Sequence, residues 1–305
     1  MKLCVQDGGL YSIHKIMDAY DIIARAGFEA IDWNIDIEIR GSALEAGTYA
    51  GNIFEKSIEE ITEYYKDELA AMRKAGLTIS QAHAPFPFYN TKFQNPETPD
   101  YLIGIYKKII LFLDTVGCKN LIIHGVSLAR ADDEHTLDDY RALNKKLYTS
   151  LIPELQKTNV TVCLENLFSK GITAGHCCDP HDAAREIDEL NALAGKECFG
   201  LCLDTGHLNL IGGDLRHYLP IIGKRLKSLH IHDNDGITDM HKAPYTGTIN
   251  WKHFYTMLKE IGYEGDLSFE TFRQTDPNVI DLELLEPWMV MIAQIGAFFR
   301  KKILE

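Results

Sequence analysis

The sequence predicts an α/β fold, a single (β/α)8 TIM barrel spanning residues 1–305, on three observations. Eight short β-branched runs alternate with amphipathic helical stretches. Several of those stretches stop at a glycine just before the next run, where a left-handed helix C-cap belongs. Ionisable residues then recur at the end of strand after strand, and barrels of this kind build their active sites at the C-terminal strand ends.

The expected strands are residues 3–7, 29–35, 77–84, 120–126, 161–167, 200–205, 227–233 and 266–271. Between and after them the 3.6-residue apolar period predicts helices over 13–26, 58–75, 100–116, 138–157, 181–194, 215–225, 251–261 and 287–304. Gly27, Gly76, Gly117, Gly195 and Gly262 mark five of the helix ends. Eight strands alternating with eight helices point to a closed barrel rather than an open doubly wound sheet. Neither a GxGxxG nor a GxxxxGK[ST] motif argues for a nucleotide-binding alternative.

Length and composition agree. A chain of 305 residues, 46% hydrophobic, can bury a large core. A formal charge of −13 gives no global reason for a nucleic-acid or membrane partner. The seven cysteines are odd in number and form no CxxC framework, which fits a reduced, cytoplasmic setting. The N-terminal MKLCVQDGGL lacks an apolar h-region, and the longest apolar stretch, 288–299, is too short to span a bilayer. The expectation is a cytoplasmic protein with a small-molecule partner and no membrane contact, with a homo-oligomer left open.

A barrel strand is covered on both faces and should read as nearly continuous Val, Ile and Leu. These strands instead end on His83, His124, Glu165, Asp204, His230, His232 and Glu270. Isolated buried carboxylates are costly, so their repetition at one end of the barrel points to a bound cation. Glu165, Asp204, His230 and Glu270 are the leading metal set, although His232 shares the inward alternation of His230 and either can be the ligand on strand seven. Mixed imidazole and carboxylate donors suit Mn²⁺, with Zn²⁺, Co²⁺ or Mg²⁺ as alternatives. His83, His124, His207, Asp239 and His241 are candidates for additional ions.

Blander readings apply elsewhere. His83 or His124 alone is as readily a hydrogen-bonded structural histidine. Cys163 and Cys202 read as small core fillers. His14, His135, His176, His217 and His253 read as surface or supporting groups, and Asp132, Asp133 and Glu134 as a solvated loop.

The ordered set HAPF, LIIHG, CLEN, LDTGH, HIHDNDG, TDMHKAPYTGTINW and SFET, from His83 to Glu270, resembles the xylose-isomerase-like barrel superfamily, which holds sugar isomerases and epimerases and also endonuclease IV. The resemblance implies a shared metal site at Glu165, Asp204, His230 and Glu270. It also implies the ligand pattern of endonuclease IV, with His83 and His124 as its first pair, Glu165 bridging, and His207, Asp239 and His241 as a third site. Against a nuclease, the long loops after strands two to eight carry seventeen Asp or Glu and seven Lys or Arg, whereas a duplex-binding face should be basic. The ketose 3-epimerase pattern is also incomplete: its second Glu and its Arg fall at Gly171 and Gly236. An inosose-type dehydratase and a C-glycoside-cleaving lyase stay open within the superfamily.

The leading expectation is therefore a metal-dependent isomerase or epimerase acting on a sugar, sugar phosphate or polyol by proton transfer at a carbon beside a carbonyl. Glu165 and Glu270 would serve as base and conjugate acid, with His207 donating to a substrate oxygen. His83, His124, Trp33 and His232 would bind substrate. Phe86, Phe88 and Trp251 are further aromatic candidates at the mouth.

Overall fold

The computed structural model describes residues 1–305 except 9, 11–17, 128–135, 169–174 and 277. All eight expected strands form, as β1 (Leu3–Gln6), β2 (Ala30–Trp33), β3 (Thr78–His83), β4 (Asn120–Ile123), β5 (Thr161–Glu165), β6 (Phe199–Asp204), β7 (Leu226–His230) and β8 (Leu267–Phe269). They pair in parallel in the order β7-β6-β5-β4-β3-β2-β1-β8. The seam between β7 and β8 is narrow: Ile231 bridges Phe269, its N–H donating to Ser268 O at 2.8 Å while its carbonyl accepts from Glu270 N at 3.1 Å. These bonds bring the sheet almost to closure.

The period of two along each strand sorts side chains between two environments. Leu3, Val5, Ile31, Trp33, Leu121, Ile123, Val162, Leu164, Leu201, Leu203, Leu229, Ile231, Leu267 and Phe269 belong to the large apolar layer under the helices. Ile122, Cys163 and Cys202 form a separate small cluster inside the barrel, so the two cysteines are the small fillers their spacing suggested. All seven cysteines are free thiols.

The helices wrap this layer. The expected glycine stops hold: Gly27, Gly76, Gly117, Gly195 and Gly262 all take positive φ, a conformation that costs glycine little. The first helix is described over Ala19–Ala26, and the start of its expected span lies outside the described residues, as do His14, His135 and residues 132–134.

The C-terminal helix corrects one expectation. It runs Leu282–Leu304 rather than from Pro287, because proline inside the second turn is accommodated there instead of starting the helix. Its 23 residues include an 18-residue window of mean hydropathy 1.3, so by length and composition only it is long and apolar enough to cross a membrane. Its buried face, Leu285, Met289, Ile292, Ala293, Gly296, Phe299 and Ile303, packs on the barrel. A Cβ on Gly296 would come within 2.8 Å of Phe269 and 3.0 Å of Leu3, so glycine sets how closely this helix seats.

Candidate active site

A cavity of about 510 Å³ opens at the C-terminal ends of the strands. Its lining includes His83, His124, Glu165, His207, Asp239, His241 and Glu270, with Gln6, Asn34 and Asp36 beside them and Phe86, Phe168 and Phe272 as apolar walls. No Lys or Arg lines it among the described residues.

Glu165, at the end of β5, is the hub. Its Oε2 lies 3.0 Å from His124 Nε2, 3.7 Å from His83 Nε2 and 3.2 Å from His230 Nδ1, and its Oε1 lies 3.1 Å from His207 Nδ1. Burial opposes the charge on Glu165, but His124 and His230 outweigh it and hold the carboxyl well below the usual range. His83 turns its Nδ1 to Ala84 O at 2.9 Å, leaving Nε2 to face His124 Nε2 at 3.1 Å. Two imidazoles meeting nitrogen to nitrogen beside a carboxylate form a set of electron-pair donors suited to a cation.

Asp204 ends β6 and caps the short helix Thr205–Leu210: its Oδ1 accepts from His207 N at 2.6 Å. The cap places the His207 ring over the cavity. Asp204 Oδ2 sits 2.9 Å from His232 Nε2 and 3.5 Å from His207 Nδ1. Burial works against the imidazolium of His207, yet Asp204 and Glu165 push its pKa up to about 10. Beyond β7, Asp239 Oδ2 meets His241 Nε2 at 2.9 Å and His207 Nε2 at 3.9 Å. His241 stacks on His232 with ring centroids 4.1 Å apart.

The structure separates His230, which ends β7, from His232, two residues beyond it. His232 faces Asp204, whereas His230 lies deeper, with Nδ1 3.2 Å from Glu165 and 3.5 Å from Glu270 and Nε2 3.3 Å from Asp32. Glu270 is further held by Gln6, whose Nε2 donates to Oε1 at 3.2 Å. Neither nitrogen of His230, nor Nδ1 of His232, nor Oδ1 of Asp239 has an aligned hydrogen-bond partner although all are buried. Buried donor atoms left without such partners, converging on ionised carboxylates, fit a divalent ion. Three groups can supply ligands, the first two sharing Glu165: His83, His124 and Glu165; Glu165, Asp204 and His207; and His232, His241 and Glu270.

Of the expected site residues, the three aromatics Trp33, Trp251 and Phe88 do not reach this cluster. Trp33 is buried outside the cavity, donates from Nε1 to Glu68 at 2.7 Å and packs on Tyr65 and Phe112. Its odd-numbered position in β2 points it outward, while Asp32 faces in. The same correction applies to Trp251, buried and bonded to Asp233 at 2.9 Å, and to Phe88, buried beside Tyr106. Phe86 does reach the site, 4.6 Å from His124 between ring centroids. His176 is not a surface group but is buried against Glu186.

Some lining residues were not anticipated. Gln6 and Asp36 carried a usable signal, being polar groups at or just after strand ends; burial pushes the Asp36 carboxyl up to about 6. Phe168 and Phe272 carried none, since a phenylalanine after a strand reads equally as packing.

Residues 20–289 match the family model described as a xylose isomerase-like TIM barrel. A probable endonuclease 4 of Shouchella clausii is 25% identical over 243 residues, covering 73% of this chain and 77% of that protein. A D-psicose 3-epimerase of Clostridium cellulolyticum, solved with D-tagatose, superposes with a TM-score of 0.70 at 15% identity, over 98% of this chain and 99% of that one. The IolI protein, solved with a zinc atom, gives 0.69 at 18% identity, over 97% and 96%. The match to the family model spans most of the barrel, and the chain belongs to the xylose isomerase-like TIM barrel family.

Proposed function

We propose that this protein is a divalent-metal-dependent isomerase or epimerase of a small polyhydroxylated carbohydrate, working by proton transfer at a carbon beside a carbonyl. The observation that carries the reading is the pair Glu165 and Glu270, which reach one cavity from the ends of β5 and β8 and converge on the same nitrogen of His230. Two carboxylates on different sides of a bound carbon can take a proton from one face and return it to the other. The structural neighbours solved with a sugar and with zinc support the substrate class and the metal.

Glu165, Asp204, His232 and Glu270 would hold the principal ion, His232 replacing His230 because it is the ring that meets Asp204. When bound, the ion supplies electrostatic stabilisation of negative charge developing on substrate oxygen. The remaining work belongs to side chains. Gln6 orients Glu270 through Oε1, His207 presents Nε2 to a substrate oxygen, and Phe86, Phe168 and Phe272 exclude water. His83 and His124 bind substrate hydroxyls or a further ion. If His232 is the ligand, the position six residues on is Thr238, so the Arg of ketose 3-epimerases is missing on either assignment, and an aldose–ketose isomerase fits at least as well.

The test is exchange of substrate C–H for deuterium in D₂O, followed by NMR over a panel of aldoses, ketoses and inososes with Mn²⁺, Zn²⁺, Co²⁺ or Mg²⁺. Metal-dependent exchange, abolished by chelation together with a fall in Tm, is expected. Full turnover by protein shown to be metal-free would overturn it.

A second reading rests on a specific observation. His83 and His124 on one side of Glu165, and His207, Asp239 and His241 on the other, provide donors for more than one ion, the arrangement expected for phosphodiester hydrolysis by an endonuclease 4-like enzyme. The net charge of −13 and the cavity lining without Lys or Arg among the described residues weigh against a DNA backbone. Incision of an abasic-site duplex at physiological salt, without sugar exchange, would put this reading first.

A further inference from the structure

Outside the cavity lies a second group of metal-type donors, two of them in the loop between β5 and the helix Pro180–Ala194 and one within that helix. We propose that His176, Cys177 and Glu186 form a separate divalent-metal site of zinc type.

Tetrahedral zinc with bonds of about 2.3 Å to sulfur and about 2.0 Å to nitrogen and oxygen places its S and N donors roughly 3.5 Å apart and its N and O donors roughly 3.3 Å apart. Here Cys177 Sγ lies 3.7 Å from His176 Nε2, and that nitrogen lies 3.0 Å from Glu186 Oε2. The three ligand atoms all fall within 4.8 Å of one another. Sγ is almost equally far from both ring nitrogens, 3.6 Å from Nδ1, so ligation requires the thiol to swing toward the in-plane lone pair of Nε2 by on the order of 1 Å or more.

The loop is also held in place for this purpose. Cys177 sits at φ 57, the left-handed region that a side chain with a Cβ disfavours. Bonds on each side impose it: His176 N donates to Ser127 Oγ at 2.8 Å, Leu167 N to His176 O at 2.9 Å, and Tyr218 OH to Cys177 O at 2.6 Å. The His176 ring stacks on Tyr148 at 5.7 Å between centroids and occupies the space a Cβ on Gly125 would need, 2.2 Å from Nδ1. A strained thiol-bearing residue fixed from three sides beside an imidazole and a carboxylate is a constructed arrangement rather than a surface accident.

A cavity of about 440 Å³ opens onto the three residues, leaving room for water as a fourth ligand. Thiolate with imidazole and carboxylate favours zinc-class ions over Mg²⁺ or Ca²⁺. Burial pushes the Cys177 thiol well up, so loading proceeds with displacement of its proton: Cys–SH and the dication give Cys–S–metal and one H⁺. Bound there, the ion ties the loop to the helix Pro180–Ala194 behind Gly125, the neighbour of His124.

Co²⁺ is the probe, because sulfur bound to cobalt gives a charge-transfer absorption that nitrogen and oxygen donors do not. Titration of the intact metal-free chain should produce this band. Cys202, which lies near Glu165 and His230 inside the barrel, provides the control: C202S should keep the band, whereas C177S should lose it together with one bound equivalent. Glu186→Gln, on a half-exposed helix face, should weaken the Co²⁺ titration of the band by at least about tenfold, the lower end of what even an outer partner of a metal ligand contributes. Absence of the band in the unaltered chain, its persistence in C177S, or an unchanged titration in E186Q would each show that His176 and Glu186 are only a hydrogen-bonded pair. Because the readout is sulfur ligation and not turnover, it stands or falls apart from the sugar chemistry.

Discussion

The two faces of the barrel wall are built from the same strands and do opposite things. Outward, Leu164, Leu203, Leu229 and Phe269 pack beneath helices in one continuous apolar layer. Inward, one residue along each strand, Glu165, Asp204, His230 and Glu270 crowd together, buried and within ion-pair distance of imidazoles. The outer face gains stability from every contact. The inner face gathers like charges that stay ionised only because histidines, and on our reading a cation, compensate them. Adjacent residues on one strand thus separate stability from chemistry.

The largest expected effect comes from breaking the inner face. Glu270→Gln keeps the volume and the Gln6 neighbour but removes the proton acceptor, and should cost roughly 10² to 10⁴ in rate if Glu270 transfers protons. Metal content is measured on the same sample; a variant that keeps its metal and near-normal turnover refutes the role.

On the outer face the converse should hold. Phe299 is fully buried among Trp251, Phe254 and Tyr255, and Phe299→Ala should lower unfolding free energy by about 3–5 kcal/mol. Metal affinity and the KM of the folded fraction should stay unchanged. A large shift in either at a temperature where the variant is folded would show that the two faces are coupled.

The smallest effect is a pH dependence in the metal-stripped protein. His207 is raised from its ordinary 6.5 to about 10, so its contribution is complete below about 6.5 and fades as pH climbs toward 10. Glu165 and Asp204 are held low, so theirs is present above the ordinary carboxylate range and fades on acidification. Urea midpoints should therefore fall on both flanks, and His207→Gln should flatten the alkaline one. An alkaline flank unchanged in that variant would assign it elsewhere.

Much of this was legible in the residues. Strand positions, glycine stops and the polar strand ends follow from local rules, because a period of two or 3.6 and a left-handed turn are properties of a few consecutive residues. So the fold class and the ring of Glu165, Asp204, His207, Asp239, His241 and Glu270 could be anticipated without coordinates. Local pattern could not choose between His230 and His232, which lie two residues apart at the end of β7 and differ in depth. Depth is set by the stagger of β7 against β6, with Asp204 opposite His230 in register while its side chain reaches His232. Nor could it reject Trp33, an aromatic near a strand end whose direction depends on which face of β2 the barrel encloses, or find Phe168 and Phe272, which reach the cavity only when their loops fold over it. Sequence alone determined the barrel and the donor types at its mouth, because those depend on composition and short-range periodicity. Tertiary structure decided which donor meets which, because parallel strands from distant parts of the chain acquire a relative height only when the sheet curls toward closure.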